Sequence, residues 1–201
     1  MILVFVLSLL LIVFSHELAH LMVAKACGCG VEVFSIGFGK PILYKKKIGE
    51  TIYQITPWLL GGYCKLKGEL DYSRSKYAFT NLIYRKKLAI VMAGVVINII
   101  MGVIAFIIGK YFRIPSLIFF GWMSFLLGAT NAIPFPALDG SYPILVWLEK
   151  IYGKKKGYTL MNTICKIGFI IITVLNILCL PLLIYLIMNG GLYVFNFKIA
   201  G

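Results

Sequence analysis

Residues 1–27 of the chain read MILVFVLSLLLIVFSHELAHLMVAKAC, an apolar run that carries two histidines and a glutamate. About 20 helical residues cross the hydrocarbon core of a bilayer, so the run is long enough to span it. An ionisable side chain within such a helix costs about 2.5–3.5 kcal/mol on insertion scales, and it marks a functional site by default. The stretch therefore predicts a membrane-spanning helix that carries chemistry.

The overall composition is that of a polytopic membrane protein. Of the 201 residues, 61% are hydrophobic and 13% are charged, with a mean hydropathy of +0.94, which excludes a small soluble domain. The net charge of +13 does not indicate nucleic-acid binding, because the bases lie between apolar runs. Five irregularly spaced cysteines predict no disulfide framework. The first stretch lacks a basic region and a cleavage site, so we expect it to remain in the mature protein.

Four apolar stretches predict transmembrane helices. They lie at about residues 1–27, 88–109, 115–134 and 167–189. After the first stretch, β-branched and aromatic residues interrupted at glycines predict short β-hairpins over about 31–67, and the Gly-rich segment Pro57–Lys65 predicts a turn at the membrane interface. The predicted fold is mainly α: one polytopic domain over 1–201 with a small membrane-associated β-hairpin region.

Lysine and arginine residues near the spans predict the orientation, since they remain on the cytoplasmic side. With this assignment 17 of the 20 bases lie on one side, and only Lys110, Arg113 and Lys198 lie on the other. We therefore expect the β-hairpin region in the cytosol and both termini outside, in a multi-pass protein of the plasma or inner membrane. The lysine triplets are consistent with topology and lipid-headgroup contact, and docking of an acidic partner is the alternative.

The two histidines of the first stretch, His16 and His20, are the only ones in the chain. A spacing of four places both imidazoles on one helix face, where they can bind one Zn²⁺, with Glu17 beside it as general base. The alternative is a histidine pair that satisfies itself inside the bundle. Catalytic zinc usually has a third protein ligand, and Asp139 is the only other carboxylate in or at the edge of an apolar span.

The segment NAIPFPALDG at 131–140 is expected to lie at the same depth as the histidines. At about 1.5 Å per residue, His16 and Asn131 lie about 22 Å and about 24 Å from the outer ends of their helices. Two prolines end the helix there, and non-helical backbone at that depth is buried in protein or lines a cavity. Asp139 is alternatively a helix-end carboxylate paired with Lys150. Asn131 is either an interhelical contact or a donor to the oxyanion of a tetrahedral intermediate.

These motifs resemble those of the site-2 protease family of intramembrane zinc metalloproteases. HELAH at 16–20 matches the family's HExxH, and residues 131–140 match its N-x-x-P-x-P-x-L-D-G signature. FSIGFGK at 34–40, GGYCK at 61–65 and Ala93-Gly94 with Asn98 resemble the RseP-like branch. That branch carries PDZ domains where this chain has only five residues, 110–114, between its second and third predicted spans.

The resemblance implies a metal site and a reaction. His16, His20 and Asp139 would bind one zinc ion per chain, Glu17 would be the general base, and Asn131 would lie near the substrate carbonyl. The implied reaction is hydrolysis of peptide bonds within or near the single transmembrane helices of other membrane proteins, as in regulated intramembrane proteolysis.

The remaining candidate residues concern substrate binding. The region of Gly61, Gly62 and Tyr63 is expected to bind a locally extended substrate by strand addition, and plugging the cytosolic mouth of the bundle is the alternative. Asn98 is either a residue that helps to unwind the substrate or a polar contact between helices.

Two rival functions are compatible with a histidine pair in a membrane helix. The first is a metal-binding transporter or sensor without hydrolytic activity, although such transporters usually show internal repeats and none is visible here. The second is a membrane zincin with a downstream glutamate as third ligand, for which the candidate is Glu149, in an amphipathic stretch outside the spans.

Overall fold

The computed structural model describes residues 2–69 and 72–188, so Lys198 and the end of the fourth predicted stretch lie outside the described residues. The helices are α1 (Ile2–Ala26), α2 (Tyr84–Tyr111), α3 (Pro115–Asn131) and α4 (Tyr142–Met188). The strands are β1 (Val31–Phe38), β2 (Tyr44–Ile48), β3 (Thr51–Ile55) and β4 (Trp58–Leu66). Short 3₁₀ turns at Phe79–Asn81 and Asp139–Ser141 precede α2 and α4.

The fold is mainly helical, and three helices of the described part are long and apolar enough to cross a membrane. They cover Leu3–Ala26, Tyr84–Tyr111 and Asp139–Leu175. α1 and α2 coincide with the first two predicted stretches, whereas α3 has only 17 residues and is shorter than the about 20 residues of an average span. Length and composition therefore identify three spans and do not confirm the predicted count of four.

Helix α4 begins much earlier than the fourth predicted stretch. The sequence predicts a polar segment outside the spans over about residues 139–166, with an amphipathic stretch around Glu149, and the structure continues the helix through this segment. Tyr142, Leu145 and Leu148 recur every third residue and are buried, while the lysines of the same segment are exposed. The segment is therefore an amphipathic helix whose apolar side packs on the rest of the protein.

The β-region forms one four-stranded sheet in the order β2-β3-β1-β4. Only β2 and β3 form a hairpin, because β1 pairs in parallel with β3 and antiparallel with β4. The prediction of two or three hairpins was therefore wrong, and so was the turn predicted at Pro57–Lys65, most of which belongs to β4. Pairing with β1 satisfies the backbone of this glycine-containing strand and overrides its weak intrinsic preference for β structure.

Helices α2 and α3 pack with their backbones in contact. A Cβ atom at Gly102 would lie 2.7 Å from the backbone nitrogen of Phe125, and one at Gly121 would lie 2.7 Å from that of Phe106. Small residues allow this close approach, which is typical of membrane helix pairs. The pair therefore holds the middle of α2 in a fixed position behind α1.

A buried lysine connects α2 with both parts of α4, which Gly153 (φ 76°, ψ 161°) divides into two arms. Lys87 is 3% exposed, and its Nζ donates to Oε1 of Glu149 at 3.1 Å and to the hydroxyl of Tyr158 at 2.9 Å. The ammonium group also lies over the ring of Phe79, 5.7 Å from its centroid. The network fixes the ends of three elements against one another.

Replacing Lys87 by methionine should destabilise the protein by about 3 kcal/mol, because it leaves the half-buried Glu149 without its cation. Thermal unfolding in detergent would measure the loss. The control is Lys150→Met, which removes an exposed lysine next to Glu149 and should leave the melting temperature nearly unchanged. Equal melting temperatures for the two variants would contradict the stabilising role of the buried pair.

Candidate metal centre

Three side chains meet at one point where α1 faces the turn before α4. Nε2 of His16 lies 2.9 Å from Oδ2 of Asp139, and Nε2 of His20 lies 3.3 Å from the same oxygen. The two Nε2 atoms are 3.2 Å apart, and the histidines are 6% and 8% exposed. The structure thus brings together the three side chains that the sequence indicates as metal ligands.

Hydrogen bonds on the far side of each imidazole direct its Nε2 atom toward this point. Nδ1–H of His20 donates to the carbonyl of Ile90 at 2.8 Å, so Nε2 of the neutral ring is unprotonated. Nδ1 of His16 lies 3.1 Å from the side-chain amide of Asn98, which is fully buried. Rotating that amide by half a turn makes Oδ1, which otherwise has no partner among the described residues, the acceptor for Nδ1–H. Both rings then present a free Nε2 lone pair, as a metal ligand must.

The cluster has the donor set of a zinc site. Oδ2 of Asp139 is buried and has no hydrogen-bond donor in the described part of the chain, and both unprotonated Nε2 atoms are acceptors as well. Three buried acceptors facing one another are unfavourable unless a cation lies between them. All three ligand atoms lie within 4.8 Å of one another. Two imidazoles and a carboxylate match a catalytic zinc site with one position left open.

Gly94 on α2 leaves the space that such an ion needs. A Cβ atom there would lie 2.5 Å from Nε2 of His20 and 2.6 Å from Nε2 of His16. Zinc binds imidazole nitrogens at about 2.0–2.1 Å, so a methyl group would compete with the ion or push the rings apart. The residue after Ala93 is therefore glycine for a steric reason.

A cavity of about 440 Å³ opens beside the metal ligands. Glu17, His20 and Asp139 line one side of it. β4, the start of α2 and both arms of α4 line the rest, through residues that include Tyr63, Cys64, Leu66, Ile90, Val91, Leu145, Met161 and Asn162. The cavity is large enough for several side chains of an extended peptide, and His20 and Asp139 are accessible from it.

Glu17 separates this cavity from a second, smaller space. It also lines a pocket of about 10 Å³ together with Ser35, Gly61 and Gly62. A Cβ atom at Gly62 would lie 3.1 Å from Cγ of Glu17 and 2.8 Å from the carbonyl oxygen of Ser35. β4 therefore lies directly on the glutamate, and the glycine at this position makes the approach feasible.

The other candidate residues lie at different distances from the cavity. Tyr63 lines it, whereas Gly61 and Gly62 border the smaller pocket. Asn98 lies behind His16 and makes a polar contact between helices. Asn131 is the last residue of α3 and is absent from the cavity lining.

The alternatives that the sequence left open for two carboxylates are decided by their ion pairs. Asp139 contacts the two histidines, so it is not the partner of Lys150. Glu149 contacts Lys87 and is not part of the His16–His20–Asp139 group. The zincin hypothesis, with a downstream glutamate as third ligand, therefore loses the candidate that the sequence indicated.

Cys27, Cys29, Cys64 and Cys165 are free thiols. Burial raises the pKa of the Cys29 thiol to about 12 and moves the pKa of the Cys64 thiol upward as well. Both thiols are therefore neutral at physiological pH and do not act as nucleophiles. Cys64 contributes an apolar wall to the cavity.

Asn98 is expected to hold His16 in its metal-binding orientation. The Asn98→Ala variant should bind zinc about 10- to 100-fold more weakly, the usual effect of removing the hydrogen-bond partner of a ligand histidine. Competition with a fluorescent chelator would measure the affinity. Ser124→Ala, which removes a 2.8 Å hydrogen bond to the backbone carbonyl of Asn98, is the matched control. If both variants retain wild-type affinity, Asn98 is only a packing residue.

Sequence comparison decides the family. Residues 4–115 and 111–175 match the family model described as peptidase family M50. The chain belongs to peptidase family M50. The similarity to site-2 proteases that the two motifs indicated is therefore confirmed.

Curated relatives of this M50 chain carry the same description. It is 41% identical over 129 residues to a "Putative zinc metalloprotease" of Borreliella burgdorferi, covering 59% of this chain and 29% of the relative. A protein of the same description from Neisseria meningitidis is 36% identical over 119 residues, with coverages of 57% and 26%. One from Helicobacter pylori strain J99 is 50% identical over 68 residues, with coverages of 34% and 19%. The chain thus spans less than a third of the length of these relatives.

Proposed function

We propose that this M50 chain is an intramembrane zinc endopeptidase, which hydrolyses peptide bonds within or near transmembrane helices of other membrane proteins. The observation that carries the proposal is the buried His16–His20–Asp139 cluster, whose unpartnered oxygen and lone pairs need a cation, beside a cavity that Glu17 also lines. Family membership and the relatives described as zinc metalloproteases support it.

The three ligands are proposed to hold one zinc ion per chain. Bound there, zinc supplies Lewis-acid chemistry, which polarises a carbonyl and lowers the pKa of water. Ile90 and Asn98 keep the two imidazoles oriented for this task. Glu17 takes the proton from the attacking water and returns it to the leaving amine. Asn131 is proposed as a donor to the substrate carbonyl.

Substrate binding is proposed along β4. β4 is an edge strand of the sheet, whereas β3 lies between β2 and β1, so β4 rather than β3 can accept an additional strand. A helical substrate hides its carbonyl groups, and pairing with an edge strand would hold a short unwound segment in extended form. Gly61, Gly62 and Tyr63 of β4 lie beside Glu17 and the cavity.

The proposed setting is the plasma or inner membrane, with α3 crossing the bilayer together with α1, α2 and the second arm of α4. The excess of lysine and arginine on the side of the sheet supports a cytosolic β-region and outward termini. The proposed partners are the lipid bilayer and membrane proteins with a single transmembrane helix, and no nucleic acid is expected.

Metal removal tests the proposed function. Protein reconstituted in liposomes with model single-span substrates should cleave at least one of them, lose this activity after dialysis against a chelator, and regain it with about one equivalent of zinc. A transporter or sensor would bind the same zinc and leave every substrate intact. Intact substrates with a fully zinc-loaded protein would overturn the proposal.

A further inference from the structure

One carboxyl group in the cavity has no role in the proposed reaction. Glu69 lies just beyond the end of β4 and lines the same cavity as Glu17, His20 and Asp139. Its Oε2 accepts a hydrogen bond from the backbone N–H of Leu66 at 3.1 Å. This hydrogen bond holds the carboxyl group at the wall of the cavity.

This carboxyl group also lacks a counter-ion in the described part of the chain. The ion pairs there join Asp139 to the two histidines, Glu149 to Lys87, and Glu32 to Lys65 at 2.8 Å. Lys65 also lines the cavity, and its ammonium group is directed to Glu32. Burial raises the pKa of the Glu69 carboxyl to about 7, as expected for a desolvated acid without a cation.

The surroundings of Glu69 favour the binding of a positively charged group. Away from the metal centre the cavity wall is largely apolar and includes Leu66, Phe79 and Met161. A basic side chain that enters this cavity can place its stem along the apolar wall and its charged head against Glu69. A desolvated charge pair of this kind favours one partner and penalises a neutral or acidic one.

We propose that Glu69 is a specificity-determining residue that binds a lysine or arginine of the substrate, next to the segment presented to the metal centre. The proposal rests on the proposed protease function. It names the substrate class: spanning segments with a basic residue at their cytosolic end. Such residues are common there, because lysine and arginine accumulate on the cytoplasmic side of transmembrane helices.

Paired substitutions in enzyme and substrate test the proposal. A single lysine is moved stepwise along the cytosolic flank of a model single-span substrate, and each version is compared with its glutamine counterpart at pH 8, above the pKa of Glu69. For at least one position, the wild-type protein should cleave the lysine version with a kcat/KM about tenfold higher or more. Glu69→Gln should cleave both versions equally, and Glu69→Lys should prefer a glutamate at that position.

The controls separate this proposal from the proposed function. Glu50→Gln removes one exposed carboxylate outside the cavity lining and should keep the wild-type preference. The lysine-to-glutamine comparison with wild-type protein alone does not depend on the folding of any variant. No preference at any position, or an unchanged preference in Glu69→Gln, would overturn the role of Glu69 while cleavage itself supports the protease. Absence of all cleavage by the zinc-loaded wild type would overturn both.

Discussion

Replacing Gly94 by alanine is expected to weaken zinc binding by roughly 100-fold or more. This loss is larger than the usual effect of removing the hydrogen-bond partner of a ligand histidine. The added methyl carbon would lie 2.5–2.6 Å from the Nε2 atoms of His16 and His20, so the ion and the methyl group cannot both be accommodated. Alanine is otherwise the most favourable residue in a helix interior. Zinc content of the purified protein, measured by inductively coupled plasma mass spectrometry, checks this expectation.

Two further variants serve as controls for the zinc measurement on Gly94→Ala. Val96→Ala introduces alanine on the same helix at an exposed position and should bind zinc like the wild type. Asp139→Ala removes a ligand without adding any atom and should also lower zinc well below one ion per chain. Normal zinc in Gly94→Ala would show that the ion does not lie beside α2, and normal zinc in Asp139→Ala would remove the third ligand.

Glu17→Gln is expected to lower cleavage by about 10²- to 10⁴-fold while zinc remains bound. Glutamine has nearly the shape of glutamate and fits under Gly62, whose Cβ position is 3.1 Å from Cγ of residue 17. It cannot accept the proton of the attacking water. Initial rates on a model substrate, with zinc measured in the same sample, separate the chemical step from metal binding.

One outcome would contradict the assignment of Glu17 as the general base. If zinc-loaded Glu17→Gln cleaves within about tenfold of the wild type, another group accepts the proton. Glu69→Gln serves as the comparison, because Glu69 lines the same cavity but is assigned to substrate choice. It should retain cleavage of neutral substrates.

The three candidate metal ligands could be predicted because each lies in a short, recognisable motif. Two histidines four residues apart share a helix face wherever the helix lies, and two prolines before Asp139 place that carboxylate at a helix end. The position of Asn98 was not predictable, since its contact with His16 joins residues 82 positions apart through the packing of α2 on α1. The same holds for Gly94, whose steric role exists only when both imidazoles face it.

The errors in the predicted fold have physical causes. β4 contains two adjacent glycines, a pattern that predicts a turn. Its pairing with β1 supplies backbone hydrogen bonds, which stabilise the strand despite its weak intrinsic preference for β structure. The lysines of the first arm of α4 indicate a polar segment outside the spans, and the amphipathic pattern around Glu149 does not by itself show that Tyr142, Leu145 and Leu148 are buried. In the sequence, Lys87 is one of many basic residues that indicate the membrane orientation. Only the fold shows that it is buried against Glu149.

The role proposed for Glu69 could not be predicted from the sequence alone. It lies in a polar-looking segment, with nothing nearby in sequence that indicates a site. The fold places this segment in the same cavity as the metal centre. Predicting this position of Glu69 would have required knowing that β4 lies on Glu17. Only then does its place, three residues after the end of β4, indicate that Glu69 borders the cavity.

The His16–His20–Asp139 site is proposed to hydrolyse peptide bonds of membrane proteins, with Glu17 as the general base. The most direct test is mass spectrometry of the products from a single-span substrate cleaved in ¹⁸O-labelled water by the zinc-loaded protein. Two fragments are expected, with one ¹⁸O atom in the new C-terminal carboxylate, and at least about 100-fold less of either fragment from Glu17→Gln in the same time. Intact substrate with the zinc-loaded wild type, or labelled fragments from Glu17→Gln within about tenfold of the wild-type amount, would contradict this mechanism.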